Sequence, residues 1–433
     1  MGGMLDVLRN AWKIPDLRRK ILFTIMMLLI YRIGSVIPVP GLDPTQLRAM
    51  IERGGNLLGF LDIVSGGAFK NATIFAMSIT PYINSSIIMQ LLTVAIPKLE
   101  QLQKEGEEGR KIIGQYIRYG TVVLGFLQAI GFYYMLGGAV IGSKGIFSAS
   151  FWTITISFTA GTAFLMWLGE QITEYGIGNG ISLLIFAGIV SRAPAGVKLI
   201  MDLYTAGTGI FANKVVGILA ILAIVAVFIG VIAAVIWVQQ AERRIPVQYA
   251  KRVVGRKMYG GQSTHIPIKV NLAGVIPIIF AMSIMAFPAT IVQLFFPNSD
   301  NFLVKWIINS QGSVGYAAVN ALLVMFFTFF YTVIVFNPIE LANNMKKNGG
   351  FIPGIRPGKP TSDYIAKVLN RITWFGGLFL ALITIFPSLL QFTGIQGVWF
   401  GGTAVLILVG VALDTVKQIE SQMLMRHYKG FLE

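Results

Sequence analysis

Two glutamates and two glycine-rich turns are the residues of this chain whose types and spacing could support catalysis. Glu170 and Glu174 lie four residues apart, so on a helix they share one face, and paired carboxyl groups can act as general acid and base. They end an apolar segment, however, and a solvated helix end is the simpler interpretation. The pair therefore does not predict an acid–base mechanism.

Neither glycine-rich turn has the context of a nucleotide site. The spacing of Gly354, Gly358 and Lys359 is one residue shorter than a phosphate-binding loop, and Pro360 replaces the Ser or Thr that would bind magnesium. The run from Gly176 to Gly180 lacks the βαβ context of a dinucleotide site. We therefore predict no enzyme activity and no cofactor, and we expect any driving energy to come from a partner.

Metal and redox chemistry are also disfavoured. Cysteine is absent, and the two histidines, His265 and His427, lie in polar segments. The lack of thiols excludes disulfides and thiolate metal sites, and the positions of the histidines argue against a haem held between helices. No metal site is predicted.

The composition indicates a membrane protein. Of the 433 residues, 55% are hydrophobic and only 12% are charged, which is about half the charged share of a soluble domain. The first apolar run follows a basic N-terminal segment and has no small-residue cleavage site after it, so no cleavable signal peptide is expected. We predict an all-α polytopic membrane protein.

Ten apolar windows predict ten transmembrane helices. They cover approximately residues 21–37, 72–96, 119–137, 151–169, 177–199, 214–238, 271–293, 313–336, 372–390 and 397–413. With the N-terminus in the cytoplasm, 26 of the 35 Lys and Arg residues fall in inside segments. The positive-inside rule therefore predicts cytoplasmic termini, and the formal charge of +16 needs no nucleic acid to explain it.

Ten spans divide into two sets of five, which enter the membrane from opposite sides. Any structural similarity between the two halves would then be an inverted repeat, as in many transport proteins. None of the 19 Asp and Glu residues lies inside a predicted span. Because ion-coupled transporters and proton pumps usually keep carboxylates at membrane depth, this absence counts against them.

The segment from Gly59 to Leu92 combines apolar length with polar residues that a lipid-facing helix avoids. Its first part, Gly59 to Phe69, is too short to span a bilayer and ends shortly after a Ser-Gly-Gly turn. We predict a re-entrant half-helix hinged onto the span at 72–96. The alternative is an interfacial loop before an ordinary packed helix.

Two inside loops, residues 239–269 and 337–367, are longer and more basic than a minimal connection requires. Attraction to anionic lipid, worth about 1 kcal/mol per basic residue near the surface, is one interpretation. The interleaved glycine, proline and aromatic residues favour ordered loops on which a soluble partner docks. Ribosomal RNA or an acidic patch on a motor protein would suit the charge.

Seven separated stretches resemble the SecY family, whose members are central subunits of protein-translocation channels related to the Sec61 α-subunit. These stretches are YRIGSVIPVPG (31–41), GFLDIVSGGAFKNATIFAMSITPYINSSIIMQLL (59–92), FLMWLGEQITEYGIGNGISLLIFAGIV (164–190), ERRIPVQYAKR (242–252), QSTHIPIKVNLAGVIPIIFA (262–281), FNPIELANNMKKNGGFIPGIRPG (336–358) and FGGTAVLIL (400–408). The resemblance extends over nearly the whole chain, in order. Ser78 stands where the family usually has glycine, and Asn84 where a smaller residue is common, so both are expected to shift gating.

The resemblance implies one channel domain, 1–433, with five-helix halves at 21–199 and 214–413 around a central pore. A plug helix at about 59–70 would fill the outer funnel; its proposed residues are Phe60, Leu61, Asp62, Ile63, Val64, Ser65, Gly66 and Gly67. The implied pore ring consists of Ile79, Ile83, Ile181, Ile185, Ile279 and Ile407. An aliphatic ring resists ions by dewetting and makes no sequence-specific hydrogen bonds with a moving peptide.

The resemblance also implies a lateral gate and docking residues. Asn84, Gln90 and Gln128 are the gate candidates, because such polar contacts within membranes contribute only about 0.6–2 kcal/mol, which a bound signal helix could offset. Purely local hydrogen bonding remains the alternative for them. The expected docking contacts, all basic and all in the two inside loops, are Arg243, Arg244, Lys251, Arg252 and Arg356.

The implied function is passage of unfolded polypeptides across the plasma (inner) membrane, with release of signal helices into lipid. The implied partners are SecE-like and SecG-like small subunits, a SecA-like ATPase motor, the ribosome, signal peptides, unfolded polypeptides and anionic lipids. Two other classes stay open at this point. A secondary solute transporter would take up a small solute without any partner, and a structural scaffold would show neither uptake nor conductance.

Overall fold

The computed structural model of the protein describes residues 4–53, 65–142, 145, 148–207, 214–249, 252–254, 257–259, 263–295, 314–392 and 402–429. The chain divides into two compact units. The first contains Met1–Asp202, Met285–Gly312 and Val411–Glu433, and the second contains Leu203–Ile284 and Ser313–Gly410.

The described part of the chain is mostly helical. Its helices are α1 (Met4–Lys13), α2 (Pro15–Gly34), α3 (Pro44–Arg53), α4 (Thr80–Ala95), α5 (Pro97–Lys104), α6 (Glu107–Met135), α7 (Ala149–Tyr175), α8 (Gly180–Ala206), α9 (Lys214–Gln240), α10 (Ile276–Phe295), α11 (Val314–Val335), α12 (Pro338–Lys347), α13 (Lys359–Phe392) and α14 (Gly402–Lys429). Its strands are β1 (Glu242–Tyr249), β2 (Arg252–Val254), β3 (Lys257–Tyr259), β4 (Ser263–Lys269) and β5 (Gly350–Phe351).

Long apolar helices confirm a membrane protein in outline. Within the described ranges, five helical stretches are long and apolar enough to cross a membrane: Ala149–Tyr175, Gly180–Asp202, Lys214–Gln240, Gly315–Lys347 and Lys359–Phe386. The arrangement of ten spans in two inverted halves stays a prediction.

The helix predicted at 72–96 begins later than expected, at Thr80. Ala72 and Ser78 have positive φ angles of 49° and 54°, and a left-handed residue interrupts a right-handed helix. Pro81 lies in the first turn of α4, where its fixed φ suits a helix start and its missing N–H costs no hydrogen bond. Residues 65–79 therefore form a series of turns before the helix.

These turns are nevertheless tightly packed. The Phe75 ring lies between Tyr31 of α2 and Phe164 of α7, with ring centroids 6.1 and 6.0 Å away and nearly parallel planes. Gly34 and Gly161 provide the space, because a Cβ at Gly34 would lie 2.0 Å from the Phe75 ring and one at Gly161 would lie 2.0 Å from a backbone oxygen. A segment without regular secondary structure is thus fixed between two helices.

A small sheet corrects the all-α prediction. Strand β1 lies between β4 and β5, and both pairings are antiparallel. Its pairing with β4 extends from Glu242 opposite Lys269 to Gln248 opposite Ser263. The inner face of this sheet packs on α12 and the start of α13 through buried side chains, namely Ile245, Val247, Ile268, Met345, Ile352, Ile365 and Leu369. The predicted ordered loops therefore share a hydrophobic core.

Candidate functional site

The corner between α7 and α8 determines where two of the predicted pore residues lie. Ile181 and Ile185 occupy the first two turns of α8, one turn apart and so on the same face. Ile181 is half-buried, and Ile185 is 8% exposed. The preceding run, Gly176 to Gly180, forms a turn in which Gly178 has a φ of 85°.

The other predicted pore residues lie at helix starts or within helices. Ile79 immediately precedes α4 and is buried, and Ile83 is half-buried in its first turn. Ile279 is half-buried near the start of α10, and Ile407 is buried near the start of α14.

The predicted plug lies mostly outside the described residues. Phe60, Leu61, Asp62, Ile63 and Val64 belong to that segment, and the description resumes at Ser65.

The end of the predicted plug segment is anchored on two helices. The Gly66 carbonyl accepts a hydrogen bond from the Arg32 guanidinium of α2 at 3.4 Å. The Ser191 hydroxyl of α8 lies 3.2 Å from the same carbonyl and shares its single proton with the Gly188 carbonyl at 2.8 Å. Gly66 has a φ of 64°, and a Cβ there would lie 2.8 Å from the Gly188 Cα. Only glycine fits such a close backbone approach in a left-handed conformation. The turn is therefore fixed between α2 and α8.

The predicted gate residues lie on two helices that pack against each other. Asn84 and Gln90 are half-buried on α4, and Gln128 is half-buried on α6. The Gln90 amide donates to the Ser86 hydroxyl on its own helix at 3.4 Å, which is the local bonding that the sequence left open.

A different residue joins these two helices. The Ser85 hydroxyl donates to the Ile117 carbonyl of α6 at 2.8 Å, and Gly120 permits the approach, because a Cβ there would lie 2.4 Å from the Ser85 oxygen. Sequence analysis did not select Ser85, since its acceptor is a backbone oxygen. The small residue at position 120 is the one signal that could have identified this contact.

Three of the five predicted docking residues belong to one structural body. Arg243 and Arg244 are exposed on β1, and Arg356 is exposed in the loop between β5 and α13. Arg252 begins β2, whereas Lys251 lies outside the described residues. Because β1 pairs with β5, Arg243 and Arg244 lie on the same three-stranded sheet that leads into the Arg356 loop, whereas Arg252 lies on a separate two-stranded sheet of β2 and β3.

Two glycine turns and one hydrogen bond to the backbone fix the loop that carries Arg356. Gly354 and Gly358 have φ angles of 82° and 104°, which favour glycine at both turns. The Thr361 hydroxyl, in the first turn of α13, donates to the Arg356 carbonyl at 2.8 Å. The Arg356 side chain therefore extends into solvent from a fixed position.

No catalytic or metal centre emerges among the residues that the structure describes. The Glu170 carboxylate accepts a hydrogen bond from the Arg118 guanidinium at 2.7 Å, so it forms an ion pair between α7 and α6. The described His, Asp and Glu residues include no group of three that could bind a metal ion.

Comparison with known proteins identifies a family. A family model, SecY, matches residues 73–416. The protein translocase subunit SecY of Halalkalibacterium halodurans is 50% identical over 439 residues, which cover 99% of this chain and all of the relative. The protein translocase subunit SecY of Bacillus subtilis is 45% identical and is covered to the same extent.

Solved structures of protein-conducting channels have a similar fold. A protein-conducting channel superposes with a TM-score of 0.64 and 18% identity, over 94% of this chain and 92% of that one. Sec61 in the canine ribosome–channel complex superposes with a TM-score of 0.60 and 17% identity, over 94% of this chain and 92% of that one. A third similar structure is that of a SecY protein whose plug domain stabilises the closed state. It superposes with a TM-score of 0.64 and 20% identity, over 94% of this chain and 92% of that one. At these identities the similarity shows the fold.

Proposed function

The chain belongs to the SecY family, and we propose that it is the pore-forming subunit of a protein-conducting channel. It passes unfolded secretory polypeptides across the plasma membrane and releases signal and transmembrane helices into lipid through a lateral gate. The observation that carries this proposal is the full-length identity of about one residue in two with protein translocase subunits. A channel subunit is not an enzyme, so ATP hydrolysis belongs to a partner.

The pore consists of ten helices in two inverted halves, with the six isoleucines named above at its constriction. Two features support this assignment within the first unit. Ile181 and Ile185 share one helix face, and Ile79 and Ile83 bracket the first turn of α4. An aliphatic constriction suits a channel that must admit every side chain, because it excludes ions by dewetting and offers no polar group to bind one segment tightly.

The plug closes the resting channel, and Phe60 to Gly67 form it. The contacts of Gly66 with Arg32 and Ser191 support this role, because a plug that moves needs a fixed attachment to the rest of the protein. The plug domain of the similar SecY structure stabilises the closed state of that channel. The gate polar residues are Asn84, Gln90 and Gln128, on α4 and α6.

The sheet and the Arg356 loop form the cytoplasmic docking surface. Exposed arginines from both loops on one body support the proposal, because a ribosome or a SecA-like motor would meet one rigid basic surface. Ribosome-bound relatives of the same fold support the ribosome as a partner. SecE-like and SecG-like subunits and anionic lipids complete the proposed partners, and both termini face the cytoplasm.

Ion conductance in a planar bilayer tests the channel. We expect the intact protein to be silent and a deletion of Phe60 to Val64, which leaves the Gly66 anchor in place, to give large flickering currents. Silence of the deletion variant would refute the proposal, and partner-free uptake of a small solute would then favour a transporter.

Motor-driven translocation into proteoliposomes tests the docking surface. Arg356→Glu should abolish transport while the purified protein stays folded, because the change reverses the charge at a fixed exposed position. Lys214→Glu, an equal charge change at an exposed residue outside both docking loops, is the matched control and should transport normally. Unchanged transport by the Arg356 variant would refute its role.

A further inference from the structure

The corner that precedes the pore-lining face of α8 is bound to α2 by one side chain. The Thr24 hydroxyl accepts a hydrogen bond from the Ile177 amide at 3.0 Å and donates to the Lys20 carbonyl of its own helix at 2.9 Å. Thr24 is 8% exposed and Ile177 is 3% exposed. Without the Thr24 oxygen, the buried Ile177 amide would be left without this acceptor, which destabilises the corner.

A second hydroxyl binds the other end of the same corner. The Thr173 oxygen, in the last turn of α7, accepts a hydrogen bond from the Gly180 amide at 2.9 Å. Gly180 is the first residue of α8, so this bond fixes the start of that helix. Ile181 and Ile185 follow directly.

The corner cannot approach α2 or α7 more closely. A Cβ at Gly176 would lie 2.5 Å from the Thr24 oxygen, and a Cβ at Gly180 would lie 1.9 Å from the Gly169 oxygen. Real Cβ atoms do not approach other atoms so closely, so the backbones of α7 and the corner are at their minimum separation. Side chains on the next turn therefore take their position from the two hydroxyls.

We infer that Thr24 and Thr173 are positioning residues that set where Ile181 and Ile185 project, and thereby the width of the pore constriction. The inference rests on the proposed function, because it assigns those isoleucines to the pore. Loss of either hydroxyl frees a backbone amide of the corner, the start of α8 shifts, and the aliphatic ring widens.

Permeability to organic cations of graded size, measured relative to potassium in the channel that lacks Phe60 to Val64, tests the inference. Thr24→Val keeps the side-chain shape and removes the hydroxyl, so we expect a several-fold increase in the relative permeability of the larger cations. Thr24→Ser restores the hydroxyl and should restore the original size limit. Thr384→Val is the matched control, because that buried hydroxyl bonds the Leu380 carbonyl of its own helix.

The outcomes separate the inference from the proposed function. If the plug deletion does not conduct, the channel itself is refuted, whatever Thr24 does. If it conducts and Thr24→Val leaves the size limit unchanged, the inference is overturned and the channel stands. If Thr24→Val does not fold, Thr173→Val decides the question, since that side chain is exposed; an unchanged size limit there would overturn the inference.

Discussion

Gln248 pairs with Phe351 across the sheet, so the two basic loops of the sequence fold into one body. Residues 250–349 separate the two strands along the chain, and neither loop could form this core alone. Arg243 and Arg244 lie on β1, and the loop that carries Arg356 follows β5, which pairs with β1. A docking partner would therefore meet both loops as a single surface.

The bond between Thr361 and the Arg356 carbonyl predicts a graded docking defect. Thr361→Val removes the hydroxyl that fixes the loop, so the Arg356 side chain loses its fixed position while keeping its charge. We expect binding of the motor or ribosome to weaken by about 1 kcal/mol, which is about fivefold in Kd. Equilibrium binding to the purified protein measures this, and Thr361→Ser is the control that should bind normally. Binding by the valine variant equal to that of the parent would contradict the prediction.

The left-handed backbone at Ser78 predicts that glycine is the better residue there. An L-residue in this region is strained by about 1–2 kcal/mol, and Ser78 has a φ of 54°. Ser78→Gly and Ser78→Ala both lose the hydroxyl, but only the alanine variant keeps the strained Cβ. Thermal unfolding in detergent should therefore show the glycine variant about 1 kcal/mol more stable than the alanine variant, and equal stabilities would count against the strain.

Crowding at the α7–α8 corner predicts opposite effects for two glycine-to-alanine changes. Gly180→Ala places a Cβ within 1.9 Å of the Gly169 oxygen, and overpacking of this kind costs about 2–3 kcal/mol. Gly114→Ala lies inside α6 with no atom within 4 Å of the new Cβ. It should stabilise the protein by about 0.5–1 kcal/mol through helix propensity. Denaturant unfolding measures the free energy of unfolding of both variants. A Gly180→Ala variant as stable as the parent would contradict the close packing of the corner.

The family and the mostly helical fold could be predicted from the sequence, because long apolar segments and short stretches that resemble the family are both local signals. The start of α4 could not, because apolar residues from Ala72 onward look helical until the left-handed positions are known. The sheet is not evident from the sequence, because Pro246 and Pro267 disfavour strands in the two segments that form it. Proline is tolerated at position 246 since the described pairing of β1 with β5 covers only Gln248 and Tyr249.

The polar contacts that join helices were the least predictable part of the candidate site. Thr24 bonds to a residue 153 positions away, and Ser85 bonds to a backbone carbonyl of another helix. A backbone partner leaves no trace in side-chain type, so neither contact can be inferred from spacing. Polarity indicates that a buried side chain such as Asn84, Gln90 or Gln128 needs a hydrogen-bond partner. It does not indicate which residue that partner is.

The ion pair between Arg118 and Glu170 predicts a weak, salt-dependent coupling and no role in catalysis. The two side chains are 52% and 28% exposed, and pairs of this exposure contribute about 0.2–1 kcal/mol. A double-mutant cycle with Arg118→Gln and Glu170→Gln should give a coupling in that range at low salt, and the coupling should shrink at high salt as the charges are screened. Both single variants should retain motor-driven translocation. Because a glutamate that acted as an acid or base would lose activity on conversion to glutamine, loss of transport by Glu170→Gln with normal stability would reinstate the chemical role that the ion pair argues against.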